Sequence, residues 1–307
     1  MTRDILIVGA TGQQGRATID AVYKTLKASP QQHQEIRLLA LTRSISSPKS
    51  QALKSTYPDI VLVQGDTQTP DSIFTEHPSI SSVFVVTVPP NDEAQALPLI
   101  EAAAAKDSQV DHIVFTSVDR GGDVVSWSRP TDVPHFAAKH RIELRLRELC
   151  DDSGKRWTIL RPTGFMDSYN PGFFGQLMAS LWAAGMPLDR KMQMISTRDI
   201  GIFAAKAVLD PDAWSGKAVA LAGDELSFSE LQHVFRSTVG EDLPQTYRAL
   251  AYPVLWMVSD ASKSFEWFRT AGWDADIAAL REQEPGLQTV EGWLRESSRW
   301  KCVDAAE

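Results

Sequence analysis

The chain has 307 residues, enough for one large domain or one domain with a smaller lobe appended. Hydrophobic residues make up 43% of it, an ordinary share for a soluble globular protein, and the formal net charge of −8 argues against direct, broad binding to nucleic acid. Its two cysteines, Cys150 and Cys302, lack redox or metal spacing, no apolar run is long enough to span a membrane, and the stretch at 5–8 is too short for a signal peptide, so the chain reads as cytosolic (cytoplasmic), with a nuclear location also open.

In chain order, the apolar run at 5–8 leads into Gly9-Ala10-Thr11-Gly12-Gln13-Gln14-Gly15 and then a helical stretch at 15–27. A buried strand, a glycine-rich turn and a helix start are what a dinucleotide pyrophosphate requires, because the backbone approaches the phosphates closely and the helix offers unpaired N–H groups. The spacing is G-x-x-G-x-x-G, and a tight turn with no ligand is the alternative; the place of the turn at the head of a βαβ array favours the nucleotide. Residues 28–35 form a polar surface connection, and a strand at 36–41 follows, ending in Thr42-Arg43-Ser44. An NAD site usually places a carboxylate there; Arg43 instead suits a 2′-phosphate, so the cofactor reads as NADP(H) rather than NAD(H), against the alternative of a solvated arginine.

A helix at 48–56 and a strand at 60–63 lead to Gly65-Asp66-Thr67, where Asp66 is placed to accept from an adenine amino group or to cap the next helix at 69–75. The strand at 83–88 closes on Thr87-Val88-Pro89-Pro90, backbone that would run under the cofactor ribose, before a helix at 93–105. After the fifth strand, 112–116, Ser117 is placed to orient a substrate carbonyl. The long glycine-containing stretch 119–133, with Trp127, is a lid or a docking segment. The helix at 134–151 begins Pro134-His135-Phe136-Ala137-Ala138-Lys139, and a sixth strand covers 158–160. Short-chain reductases place a proton-donating Tyr and a Lys four residues later on such a helix, facing the same way. Here His135 stands at the Tyr position and Lys139 keeps its own. A histidine can donate a proton near neutral pH, or simply cap or pack, and a helical lysine is often only solvated. Six buried runs spaced by helices indicate an α/β fold with a central parallel sheet built from βαβ units.

Beyond about 162 helices dominate, at 173–184, 199–209, 228–239, 252–271, 275–282 and 289–296, with one strand at 218–222. Five of the nine tryptophans follow residue 250: Trp256, Trp267, Trp273, Trp293 and Trp300. Core packing is the plainer reading for most of them. The expected organisation is a dinucleotide-binding domain over 1–162, with segments near 190–222 returning to it, and a smaller, mainly helical substrate or partner lobe over 163–307. The six histidines lack ligand spacing, so no metal site is expected.

The turn, the strand end Thr42-Arg43, the stretch 116–122 (Thr-Ser-Val-Asp-Arg-Gly-Gly), the segment 134–139 and the run 159–166 (Ile-Leu-Arg-Pro-Thr-Gly-Phe-Met) together resemble the NmrA-like family, atypical relatives of the short-chain dehydrogenase/reductases. Phe173-Phe174-Gly175 and the runs at 196–201 and 221–226 are similar to fungal members. The resemblance implies a Rossmann fold with a smaller C-terminal substrate or partner lobe, NADP(H) held by Gly9, Thr11, Gly12, Gln13, Gly15, Arg43, Thr87 and Lys139, with Gln14 in the same turn, and a nicotinamide end lined by Pro162, Thr163 and Phe165. It also implies two kinds of protein: reductases of small molecules, some in secondary metabolism, and redox sensors that bind a protein partner without turnover. His135 in place of Tyr departs from catalytic short-chain reductases.

The leading expectation is an NADPH-dependent oxidoreductase acting on a small aromatic or polyketide-like substrate, with Lys139 on the ribose and His135 or Ser117 as proton donor. Phe165, Tyr169, Phe173 and Phe174 would line an apolar pocket or anchor the lobe. The alternatives are an NADP(H)-binding regulator read by a protein partner and, last, non-redox chemistry such as isomerisation. The sequence does not set an oligomeric state.

Overall fold

The computed structural model describes residues 3–29, 35–246 and 257–303. Runs of Ile, Val, Leu and Phe with no polar face become strands buried on both sides. The six expected strands form as β1 (Arg3–Ile7), β2 (Ile36–Thr42), β3 (Val61–Gln64), β4 (Ile80–Val86), β5 (His112–Thr116) and β6 (Arg156–Pro162). Between them run α1 (Gln13–Ala28), α2 (Pro48–Thr56), α3 (Asp71–Glu76), α4 (Asp92–Ala104), α5 (Asp123–Ser128) and α6 (Pro134–Ser153). On α1 the buried residues Gly15, Thr18, Ile19 and Val22 fall on one helical stripe facing the sheet.

The chain continues through β7 (Gly164–Phe165), α7 (Phe173–Gly185), β8 (Met192–Ile195), α8 (Thr197–Leu209), α9 (Pro211–Trp214), β9 (Lys217–Leu221), β10 (Asp224–Leu226), α10 (Phe228–Val239), α11 (Ser259–Thr270), α12 (Ile277–Gln283) and α13 (Val290–Glu296). The large sheet has the order β3-β2-β1-β4-β5-β6-β9, and the pairings across β3 to β6 are parallel. Strand order reverses between β1 and β4, where open α/β sheets leave a crevice at the carboxyl ends. The fold is thus α/β and Rossmann-like, with a further mixed region toward the C-terminus.

Two compact units divide the chain. The first comprises residues 1–117, 138–161 and 200–219, and holds the large sheet. The second comprises 118–137, 162–199 and 220–307. It has a second sheet, β10-β8-β7, that the sequence did not announce, because strands of two to four residues carry too few alternations to read. Its core includes Met166, Tyr169, Trp182, Phe228, Phe235 and Trp293. Helix α10 within it is closed at its start by a reciprocal Ser227–Glu230 capping box and at its end by Gly240.

The stretch 119–133 is no open loop. It contains α5, and Asp119 and Arg120 are fully buried in it. The Asp119 carboxylate accepts from the N–H groups of Gly121, Gly122 and Asp274, all within the second unit. The start of the helix expected at 252–271, with Trp256, and most of the connection at 28–35 lie outside the described residues. No described helix is long and apolar enough to cross a membrane.

One buried group in the first unit makes stability depend on pH. His112 on β5 has no exposed surface and shares a 2.8 Å bond between Nε2 and Thr158 Oγ1. Thr158 donates its own proton to Trp214 O, so Nε2 of His112 carries the hydrogen and the ring is neutral. Burial, then Arg3 and Arg156, push its pKa down from 6.5 to about 3. The unfolded chain binds this proton first, so stability is full above about pH 6.5 and falls as pH drops toward 3. Unfolding free energies measured in denaturant at pH 7, 6 and 5 should decline by up to about 1.4 kcal/mol per pH unit more in the wild type than in His112→Asn. Equal slopes in the two proteins would refute this.

Candidate functional site

The glycine-rich turn has no room for side chains. Gly9 adopts φ +64°, in the left-handed region, and a Cβ on Gly15 would lie 2.3 Å from the Gly9 carbonyl oxygen. Gly12 N–H closes the turn on Gly9 O at 2.8 Å. Helix α1 then starts with Gly12 as its N-cap, no capping side chain and no acidic residue in the first turn. Its leading N–H groups and the positive end of its dipole are therefore presented to an anion rather than consumed by the protein. The Gln14 side chain is engaged elsewhere: its Oε1 accepts from Thr116 Oγ1 at 2.7 Å, tying the turn to the end of β5.

Parallel strands deliver the other candidates of the first unit to the same edge. Arg43, just past β2, is exposed and makes no hydrogen bond or ion pair with another described residue. Asp66, past β3, is exposed; its Oδ1 accepts from Gln68 N–H in a local turn, while Pro70 stands at the start of α3 and no side chain caps that helix, so the capping alternative for Asp66 does not hold. Val86 pairs with Thr116, so Thr87 and Ser117 follow side by side. Ser117 is buried and its N–H donates to Leu160 O at 2.7 Å.

Lys139 is not a solvated lysine. Its ammonium is buried, donating to Thr87 Oγ1 at 3.0 Å and to Thr116 O at 3.2 Å. Thr87 in turn donates to Asp92 Oδ1 at 2.5 Å, and Lys139 Nζ lies 3.6 Å from the same oxygen. Asp92 opens α4 and is buried. Sequence reasoning passed it over. The signal available was an acidic residue at a helix start, five positions after the strand-end threonine.

The second unit holds the remaining candidates. His135 Nδ1 lies 2.8 and 2.7 Å from the two carboxylate oxygens of Asp260 on α11. An Nδ1–H held this way leaves Nε2 as the ring's outer polar atom, a proton acceptor in the neutral ring and a donor only in the imidazolium. The His135 ring meets Phe136 edge-on, and Phe136 continues the contact to Trp267, which packs on Phe268 and Trp273. Pro162 and Thr163 are buried, and Thr163 spends both its N–H and its hydroxyl on Leu221 O. Phe165 is half-buried in β7, and Tyr169 is a core residue whose indole neighbour Trp300 donates to its carbonyl. Phe173 and Phe174 are 64% and 63% exposed, so they neither anchor this unit nor form its core. Burial pushes the Cys150 thiol up to about 12, which leaves no thiolate for chemistry at neutral pH. Among the described residues no group of three His, Cys, Asp or Glu side chains is placed to hold a metal.

No curated protein sequence matches the chain. Among solved structures, triphenylmethane reductase from Citrobacter sp., complexed with NADP(H), superposes with a TM-score of 0.68 at 16% identity, covering 96% of this chain and 99% of its own. An NADPH-dependent quinone oxidoreductase from Escherichia coli, complexed with NADPH, gives 0.68 at 22% identity, with 94% and 97% covered. NmrA, a negative transcriptional regulator in complex with NADP, gives 0.70 at 16% identity, with 97% and 95% covered. At such identities these likenesses establish the fold alone. The sequence model of the NmrA-like family matches residues 1–262, and with that span, most of the chain, the protein belongs to the NmrA-like family.

Proposed function

We propose that this protein binds NADP(H) at the carboxyl ends of β1 and β4 and works as an oxidoreductase on a small aromatic or polyketide-like molecule. The observation that carries the reading is the uncapped start of α1 behind a turn in which a Cβ at Gly15 would strike the Gly9 carbonyl. That opening is the shape and polarity a pyrophosphate needs. Arg43, at the end of the second strand and without a partner among the described residues, fits a 2′-phosphate and supports NADP(H) over NAD(H). Reduced cofactor, when bound, supplies a hydride.

The chain's own residues then have distinct tasks. Backbone N–H groups at Gln13, Gln14 and Gly15 hold phosphate. Lys139, fixed by Thr87 and Thr116, presents a cation to the ribose. Ser117 and His135 are the candidates for steadying a substrate oxygen and giving it a proton. The partly buried rings of Trp267, Phe268 and Trp273, the first two packed on the buried Phe136, give the second unit an apolar patch suited to an aromatic molecule. Structural neighbours that are NADPH-dependent reductases support the same reading.

A second reading, a regulator that senses NADP(H) and is read by a protein partner, is favoured by one observation. Asp260 holds His135 through Nδ1, a tautomer in which the neutral ring has no proton on Nε2 to give.

Two measurements test these readings. In fluorescence titrations, Arg43→Ala should weaken NADP(H) about ten- to a hundredfold, the worth of a charge-assisted bond, and leave NAD(H) affinity nearly unaltered. Equal NADP(H) affinity in the variant would remove the case for the phosphorylated cofactor. Single-turnover oxidation of bound NADPH, followed against a panel of quinones and enones, should show oxidation by at least one compound. Tight binding with no oxidation across the panel would favour the regulator.

A further inference from the structure

We propose that Asp92, acting through Thr87 and Lys139, sets the preference of this site between NADP+ and NADPH; the inference rests on the nucleotide reading above. Three side chains of the first unit form the device, and all are nearly or wholly withdrawn from water: Thr87 is 5% exposed, Asp92 2% and Lys139 7%. Thr87 has one hydroxyl proton and gives it to Asp92, so its lone pair receives the Lys139 N–H. The order of the bonds is therefore fixed, ammonium to hydroxyl to carboxylate. The carboxylate sits in the first turn of α4, where the helix dipole favours a negative charge.

Taken together the pair carries no net charge. That matters because the two forms of the cofactor differ by one charge on the nicotinamide ring: positive when oxidised, neutral when reduced. An uncompensated buried ammonium beside the ribose would repel the oxidised ring and leave the reduced one untouched. In a site of low dielectric such a field is weakly screened. Asp92 cancels it, which lets the site hold NADP+ about as well as NADPH. A carboxylate needed only to cap α4 would have no reason to bond the hydroxyl that holds Lys139, and Thr116, another acceptor of Lys139, is itself bonded to Gln14 of the phosphate turn. The charge pair is thus built into the same edge as the turn.

Asp92→Asn keeps the size and an acceptor for Thr87 while removing the charge. Dissociation constants for NADP+ and NADPH, measured separately by calorimetry on the wild type and the variant, should show the ratio Kd(NADP+)/Kd(NADPH) rising about tenfold, a shift of about +30 mV in the midpoint potential of the bound couple. Asp92→Glu, which restores the charge, should return the ratio toward the wild-type value even if both affinities fall. Lys139→Met, which leaves the carboxylate uncompensated, should move the ratio in the opposite direction, and it serves as the test if Asp92→Asn does not fold. A ratio unchanged in a folded Asp92→Asn, or in Lys139→Met, overturns the proposal and makes Asp92 a structural residue only. Failure of the wild type to bind either form overturns the nucleotide reading itself, and this inference with it.

Discussion

Every strand that carries a candidate residue of the first unit runs in the same direction, and the site depends on that constraint. Parallel pairing places the last residue of each strand at one edge of the sheet. The glycine-rich turn after β1, Arg43 after β2, Thr87 after β4 and Ser117 after β5 therefore come together without being near in sequence. An antiparallel arrangement of the same strands would scatter them to both edges. The crevice at the reversal between β1 and β4 follows from the same topology. So does the bond from Thr116 to Gln14, which spans 102 positions of the chain.

Two kinds of absence give this edge its polarity. The first is steric: the approach of Gly15 to the Gly9 carbonyl leaves backbone N–H groups as the surface, with no side chain in front of them. The second is electrostatic: α1 brings neither a capping side chain nor an acid to its own start. Two other helices are finished by side chains, with Ser47 capping α2 and a reciprocal Ser227–Glu230 box closing α10, while α7, like α1, starts with neither a cap nor an acid. What sets the start of α1 apart is the close glycine turn in front of it, which leaves its N–H groups open to an anion. Behind it, Lys139 and Asp92 supply opposite charges that balance in a buried setting, where either alone would be costly.

The second unit is organised by carboxylates used as anchors. Asp119 gathers three backbone N–H groups, Asp199 and Asp224 accept from the N–H groups of Gln288 and Val290, and Asp260 holds His135. Burial raises the pKa of Asp199 while its bond from Gln288 works the other way. Each of these acids ties segments far apart in sequence. The stretch 119–133, which reads from its glycines as a lid or docking segment, is tied at Asp119 and holds α5. His135, chosen as a proton donor from its place four residues before Lys139, is held by a partner 125 positions away.

Much of the fold was legible before any coordinates, because its signals are local. A continuous β-branched run must bury both faces, and a G-x-x-G-x-x-G turn between strand and helix must bring backbone close to backbone. The strand-end threonine and arginine and the helical spacing of His135 and Lys139 are local signals too. Other features escaped for equally physical reasons. Strands as short as β7 have no period, and a buried acid looks in sequence like any solvated one. The sequence by itself determined the Rossmann-like order of strands and helices and the residues that end each strand, since hydrophobic period and turn chemistry act over a few neighbours. Only the tertiary structure decided that Lys139 is buried against Asp92 and that His135 answers to Asp260, because a charge's partner is chosen by what packing brings within about 3 Å, however far along the chain it lies.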